Sequence, residues 1–311
     1  MRGGRAVVVQ RSSPRGVLFS LLASTIFAGM FYLAGFVSSS AEVVFAWRVL
    51  LTAVCYAAAL LHPAARRAVA VLWRRLRTRW WMPLLSLLLA AIVGAQLWLF
   101  MWAPMHGHGL DTALGFLLLP ICLVLGGRFL LHAHVSTVQW VVVGLAAVAV
   151  AVKLIATPAL SWVTLMVCIP YTVYFVLRQR FGLDGAMVFG LETALLSPLA
   201  VALLALAEPM QPTAVEVAAL AAIGVGSAVA MTFYLGASSL LSMPVFGLLG
   251  YAEPVMLVGV ALLLGERMQG ADALVYGILA VALAILAVEG FRATRRPRSA
   301  SGADPEAIGP R

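Results

Sequence analysis

Ten apolar runs, each about as long as a bilayer core is thick, constrain this chain more than any other feature. They fall at 16–36, 41–61, 82–103, 110–130, 139–155, 159–177, 186–206, 214–236, 244–264 and 271–290. A spanning helix needs about 20 mainly apolar residues, so ten of them occupy roughly 200, and the chain has 311. Hydrophobic residues make up 63% and charged residues 11%, against about a quarter charged in a soluble domain. A water-soluble globule is excluded. No run alternates apolar and polar positions as barrel strands do, and backbone groups in hydrocarbon must bond within their own segment. The expected fold is an all-α polytopic membrane protein with ten transmembrane helices, spans one to ten.

The net charge of +9 arises from 20 Arg and one Lys set against 12 acidic residues. The basic residues cluster between runs instead of forming a stripe, so they read as topology signals and not as a nucleic-acid surface. A cytoplasmic N-terminus puts seventeen Arg on the cytoplasmic side, in clusters at 2–15, 66–79, 178–180 and 292–311, with only Lys153 and Arg267 outside. That asymmetry predicts an even number of spans with both termini cytoplasmic. The small residues at 37–41 imitate a signal-peptidase site, but a signal core is usually 7 to 15 residues and this run is about 20. Residues 1–15 form a basic leader. Residues 292–311, rich in Arg, Pro, Ser, Gly and Ala, are expected to be disordered.

Cys55, Cys122 and Cys168 lie inside apolar runs without ligand spacing, so no metal or disulfide is expected. His106, His108 and Asp111 lack a defined fourth ligand. No nucleotide-binding or hydrolase motif occurs, so neither a cofactor nor enzyme chemistry is expected.

Shifting the chain by 134 residues lays Leu114, Pro120, Leu123, Val124 and Leu130 on Leu248, Pro254, Leu257, Val258 and Leu264. Val44 and Phe45 match Val188 and Phe189 at an offset of 144. The extra ten correspond to the longer basic loop after span two. Two halves, 16–157 and 158–291, follow. With five spans each they enter the membrane from opposite sides, the inverted repeat of many transporters, whose substrate site lies near the midplane between halves. Pro120 and Pro254 are expected mid-helix, as kinks that serve either gating or packing.

An ionisable side chain inside a span costs about 2.5 to 3.5 kcal/mol on insertion scales, which makes each a functional candidate. Arg48, Glu192 and Glu253 are such residues. Arg48 is expected roughly 10 Å below the outer boundary and Glu192 roughly 9 Å above the inner one, at 1.5 Å per residue. Glu253 lies near the midplane and is the nearer partner for Arg48 in depth. Arg48 serves either a substrate anion or a structural pair; Glu192 and Glu253 are proton-coupling candidates, since buried carboxylates commonly form proton relays. Gln96 shares Arg48's approximate depth and Trp98 and Trp102 follow it toward the outer face, while Tyr171, Tyr174, Phe233, Tyr234 and Tyr251 are candidates from the second half. The candidate solute contacts are Arg48, Gln96, Trp98, Tyr174, Glu192, Tyr251 and Glu253.

From Gln96 to Pro120, the residues Phe100, Trp102, Ala103, Gly107, His108, Leu110, Leu114, Gly115 and Pro120 resemble the RarD-type permeases of the drug/metabolite transporter superfamily, whose halves are EamA-type repeats. Glu42 with Arg48, Tyr174 with Leu177 and Arg178, Glu192-Thr193 and Gly265-Glu266 extend the resemblance over nearly the whole chain. The family's helix-one Trp-Gly, Pro, Tyr and Lys are replaced by Phe27-Ala28, Phe31, Leu33 and Gly35; its Gly-Glu after span four has become Leu131-His132. The resemblance implies a permease of a bacterial-type inner membrane that moves small organic solutes, with chloramphenicol-type drugs attached to the family name. Spans one to four and six to nine would enclose the cavity, with five and ten peripheral. Export of amino acids or other metabolites, and a membrane scaffold without transport, are the alternatives. Oligomeric state is not legible.

Overall fold

A computed structural model describes residues 14–130, 136–156, 161–183, 185–207, 213–241, 249–268 and 270–295. Every regular element among them is helical: α1 (Pro14–Ala34), α2 (Ala41–Ala59), α3 (Pro63–Leu76), α4 (Met82–Met105), α5 (Gly109–Leu130), α6 (Thr137–Ala156), α7 (Trp162–Phe181), α8 (Ala186–Leu206), α9 (Ala214–Leu240), α10 (Ala252–Leu263) and α11 (Gly270–Arg295). Eight of these, α1, α2 and α4 to α9, are long and apolar enough to cross a membrane; the apolar stretches in α10 and α11 are shorter. The chain is a multi-pass membrane protein. Most of the expected tail lies outside the described residues, but 292–295 continue α11.

Two elements depart from the expected pattern. The basic loop after span two contains α3, a 14-residue helix opened by His62, whose Nδ1 accepts from Ala64 N at 3.2 Å, with Pro63 in the first turn. Ala65, Val69, Leu72 and Leu76 are its less exposed positions, one stripe at helical spacing, while Arg66, Arg67, Arg74 and Arg75 stay exposed. Span nine is not one uninterrupted helix: residues 250–251 form a turn and α10 starts at Ala252. Pro254 therefore stands in the first turn of α10, where its missing N–H removes no ladder bond, and not at mid-helix as expected. Pro120 does lie inside α5.

Short connections make successive spans antiparallel. The face where α1 begins, here the N-face, also carries α3, and the other is the far face. α2 and α8 pack against each other at the centre, with α9 also along α2 and α4 along α8. α1 lies on α9 and α10; α7 lies on α4 and α5. α6 and α11 pair at the periphery. The buried residues of α6 are Val142, Ala146 and Ala149, a single stripe, with half-buried Val143, Leu145, Val150 and Val152 beside it and the remaining surface mostly exposed. Small residues let backbones approach: a Cβ on Gly115 of α5 would lie 2.6 Å from Val167 of α7.

Candidate functional site

Arg48, in the far-face half of α2, is buried. Its Nε donates to Ser227 Oγ of α9 at 3.1 Å, and a terminal nitrogen donates to the Leu97 carbonyl of α4 at 3.2 Å. The guanidinium sits 5.3 Å from the centre of the Phe100 ring. A planar fork on one side chain thus ties three helices together. Tyr171 of α7 and Glu253 of α10 lie within electrostatic reach, so the structure brings Glu253, the partner expected from depth, into Arg48's surroundings without direct contact.

Glu192 of α8 is fully buried and belongs to a second cluster. Its Oε2 accepts from the Tyr174 hydroxyl at 2.8 Å and lies 3.5 Å from an Arg178 nitrogen. Arg178 also bonds the Tyr174 hydroxyl, donates from Nε to the Leu183 carbonyl at 2.8 Å, and reaches the Gly185 carbonyl at 3.1 Å. Tyr174 and Arg178 share a face of α7 because they are one turn apart. Glu192 Oε1 has no hydrogen-bond partner among the described residues. Sequence reasoning counted Arg178 with the topology-setting arginines. The visible signal was its four-residue spacing from Tyr174.

Tyr171 links the two clusters. It is within electrostatic reach of Arg48, Glu253 and Glu192, and its ring centre is 6.0 Å from that of Tyr174. Tyr234 of α9 joins Glu253 and Tyr171. A chain of polar groups therefore runs from Glu253 and Arg48 through Tyr171 and Tyr174 to Glu192 and Arg178. Tyr251 lies outside it, packed on the cluster of α5, α6, α7 and α11. Gln96 is buried and donates to the Met166 carbonyl at 2.5 Å, tying α4 to α7.

The two ends of the bundle differ. On the far face, Trp98 Nε1 of α4 donates to Glu42 Oε1 of α2 at 3.2 Å and Trp98 stacks on Trp102. Ser39 bonds Glu216 of α9 through its N–H at 2.9 Å and its hydroxyl at 2.5 Å, and Lys153 pairs with Asp272 at 2.5 Å. Glu266 accepts from the N–H groups of Gly109 and Leu110 at 2.5 and 2.8 Å, capping α5 from a distant loop. Above this closure lies a cavity of about 280 Å³ bordered by Ser38, Glu42, Trp102 and His106. At the N-face, α8 and α9 each follow α2 but scarcely meet each other. Between them is a larger cavity, about 490 Å³, with Cys55, Tyr56, Ala186, Ala228 and Thr232 in its walls.

No family model matches the chain. The chloramphenicol-sensitive protein RarD of Pseudomonas aeruginosa is 33% identical, over 92% of this chain and 98% of its own length. An uncharacterized transporter of Pasteurella multocida, PM1281, is 32% identical over 91% of this chain and 98% of its own. A protein named RarD from Streptomyces exfoliatus is 27% identical over 69% of the chain and 70% of its own. One solved crystal structure superposes on 89% of this chain and 98% of that one with a TM-score of 0.58 at 19% identity, which shows a shared fold. Identity above 30% along nearly the full length of both chains, in a bundle that buries Arg48 and Glu192, places the protein in the RarD-type family of the drug/metabolite transporter superfamily.

Proposed function

We propose that the protein is a secondary-active exporter of small organic solutes, working by alternating access between two inverted five-helix halves, 16–157 and 158–291. Exchanging each helix for its counterpart in the other half turns the pairing of α1 with α9 into that of α7 with α4. It likewise turns α5 with α7 into α10 with α1, and α2 with α9 into α8 with α4; all six pairs pack. This exchange of partners supports the inverted repeat, and the turn at 250–251 inside span nine fits the broken helices of such transporters. With the arginines of α3 on the N-face, that face is cytoplasmic, both termini lie inside a bacterial-type inner membrane, and the cavity between α8 and α9 makes this the inward-facing state.

Arg48 carries the functional reading. A buried guanidinium that bonds Ser227 and Leu97, with Glu253 near but not touching, holds its charge ready for a solute group at the junction of both halves. Tyr174, Glu192 and Glu253 complete the solute path, and the two carboxylates carry the coupling proton. Gln96 and Trp98 hold its far-face wall.

The test is efflux and uptake in reconstituted vesicles across a panel including chloramphenicol, neutral aryl alcohols, amino acids and organic anions, with wild type beside Arg48→Leu. At least one solute is expected to move, and at least tenfold more slowly in the variant. A panel with no Arg48-dependent movement would make the protein a scaffold. Glu192→Gln and Glu253→Gln are expected to flatten the response to external pH, and an unchanged response in both removes the proton role.

A further inference from the structure

The arginines around α3 are arranged in a way that membrane topology does not require. The rule that sets orientation counts basic residues near span ends and is indifferent to the side of a helix on which they stand. Here they share a side. At roughly 100° per residue, Arg66, Arg67, Arg74 and the C-cap residue Arg77 fall within an arc of about 100°. That arc is turned away from Leu72 and Leu76, which pack with Trp81, Phe181 and Leu183 at the end of the bundle. Arg75 stands outside it and donates to the carbonyl of Gly182, the C-cap of α7. Among the described residues, the four side chains of the arc make no hydrogen bond and no ion pair. The sequence offers them no near neighbour either, since no acidic residue lies between Glu42 and Asp111. Arg77 sits over the Trp73 ring, 4.8 Å from its centre, but a guanidinium in that position keeps its N–H donors available in its own plane.

Residues 60–62 join α3 to α2 and residues 77–81 join it to α4. Such short connections hold the helix at the end of the spans, in a headgroup layer roughly 5–8 Å deep. Trp73 and Trp80, 54% and 88% exposed, are the residue type of that layer. Ala64, Ala68 and Val71 form an exposed apolar flank on the other side of the packed stripe. A cationic arc, exposed Trp and an apolar flank together are the composition of a helix that lies in a bilayer interface. We infer that α3 is a lipid-binding strap whose arginine arc holds the phosphates of anionic phospholipids in the N-face leaflet. The guanidinium fork matches a phosphate with two parallel bonds. Arg66 with Arg67 and Arg74 with Arg77 form two pairs about 13 Å apart along the axis, so neighbouring headgroups and not one small anion span the arc. A zwitterionic lipid carries its own cation beside the phosphate, which offsets the attraction that an anionic lipid keeps. A polynucleotide would satisfy the arginines but leave the apolar flank and both Trp in water. The inference needs only a multi-pass membrane protein and stands apart from the reading of solute transport.

The test places a fluorophore inside the arc, at Ala70, which is exposed between the two arginine pairs. The full chain carrying Ala70→Cys, with Cys55, Cys122 and Cys168 replaced by Ala, is labelled with bimane and reconstituted in phosphatidylcholine vesicles. These contain a small fraction of phosphatidylglycerol or phosphatidylcholine bearing a nitroxide at the top of one acyl chain. The phosphatidylglycerol probe is expected to quench at least threefold more strongly than the phosphatidylcholine probe at equal mole fraction, and added salt to weaken that preference. Arg66→Gln, Arg67→Gln, Arg74→Gln and Arg77→Gln together are expected to bring the two probes to equality in a protein that still elutes as a single species. Arg74→Gln with Arg77→Gln, which leaves most of the loop's charge in place, is expected to halve the preference. Arg292→Gln, Arg295→Gln, Arg296→Gln and Arg298→Gln remove as much charge elsewhere in the chain and are expected to leave it unchanged. Equal quenching by the two probes, a preference that survives both sets of α3 substitutions, or one lowered as much by the substitutions at 292–298 would overturn the site. Loss of the preference on adding inorganic phosphate at constant ionic strength would give the arc to free phosphate and overturn the lipid as its occupant.

Discussion

Arg178 is held at four points, and its partners define what each of them is worth. It satisfies two loop carbonyls, bonds the Tyr174 hydroxyl and neutralises Glu192, and its side chain is buried. Removing one member of a buried pair typically costs about 3–5 kcal/mol, because the other charge is left without compensation, whereas replacing both with apolar groups is often nearly neutral. Arg178→Met and Glu192→Leu are each expected to lower stability in detergent denaturation by that amount, with the double variant recovering most of the loss. Additive losses would mean the pair is not coupled. Arg48→Lys is a different case. It keeps the charge but loses the fork that bonds Ser227 and the Leu97 carbonyl together, so vesicle transport is expected to fall at least tenfold while the protein stays folded. Arg48 and Glu192 were legible because a charge inside an apolar run stands out. Their partners were not, since pairing depends on how each helix is rotated about its axis. Arg178 was hidden because buried and topology-setting arginines occupy the same run ends.

Nine of the ten runs, all but span nine, appear as helices within a few residues of the expected limits, because about twenty apolar residues in lipid have no other way to satisfy their backbone. The departures lie where length fails as a signal. α3 is too short and too basic to register as a span, and only the stripe of Ala65, Val69, Leu72 and Leu76 distinguishes it from a loop. The turn at 250–251 is flanked by apolar residues on both sides, so hydropathy passes over it. α5 shows how a distant element completes a helix end. Its first two N–H groups are satisfied by Glu266, from the loop between α10 and α11, across 157 and 156 positions of sequence. Glu266→Ala leaves both donors without that acceptor and is expected to cost roughly 1–2 kcal/mol in detergent melts, the range of a lost cap. Gly109→Ala is expected to destabilise as well, since its Cβ would stand 2.6 Å from Glu266 Oε1 and 2.9 Å from the Ala261 Cβ. A melting temperature unchanged by either substitution would remove the clamp from the fold's supports.

At the scale of the whole molecule, the two halves of the proposed inverted repeat would hold unequal versions of one arrangement. α8 and α9 stand apart at the N-face over α2, while their counterparts α2 and α4 are joined at the far face, through Arg48 to the Leu97 carbonyl and Trp98 to Glu42. Alternating access requires the two gaps to exchange. α8 and α9 would close over α2 as α2 and α4 separate over α8, and Arg48 would release Leu97 when a solute group or Glu253 takes up its donors. Glu42→Cys with Trp98→Cys places thiols across the far-face seam, and Ala186→Cys with Thr232→Cys places them across the N-face gap. A reducible bifunctional reagent linking either pair, with the native cysteines replaced, is expected to stop vesicle transport, and reduction to restore it. In parallel samples that retain Cys55, the far-face link is expected to keep its maleimide labelling fast and the N-face link to slow it, because the first holds the N-face cavity open and the second closes it. Transport that continues with both seams linked would show that the halves do not move against each other, and the exchange of gaps would then have no part in moving solute.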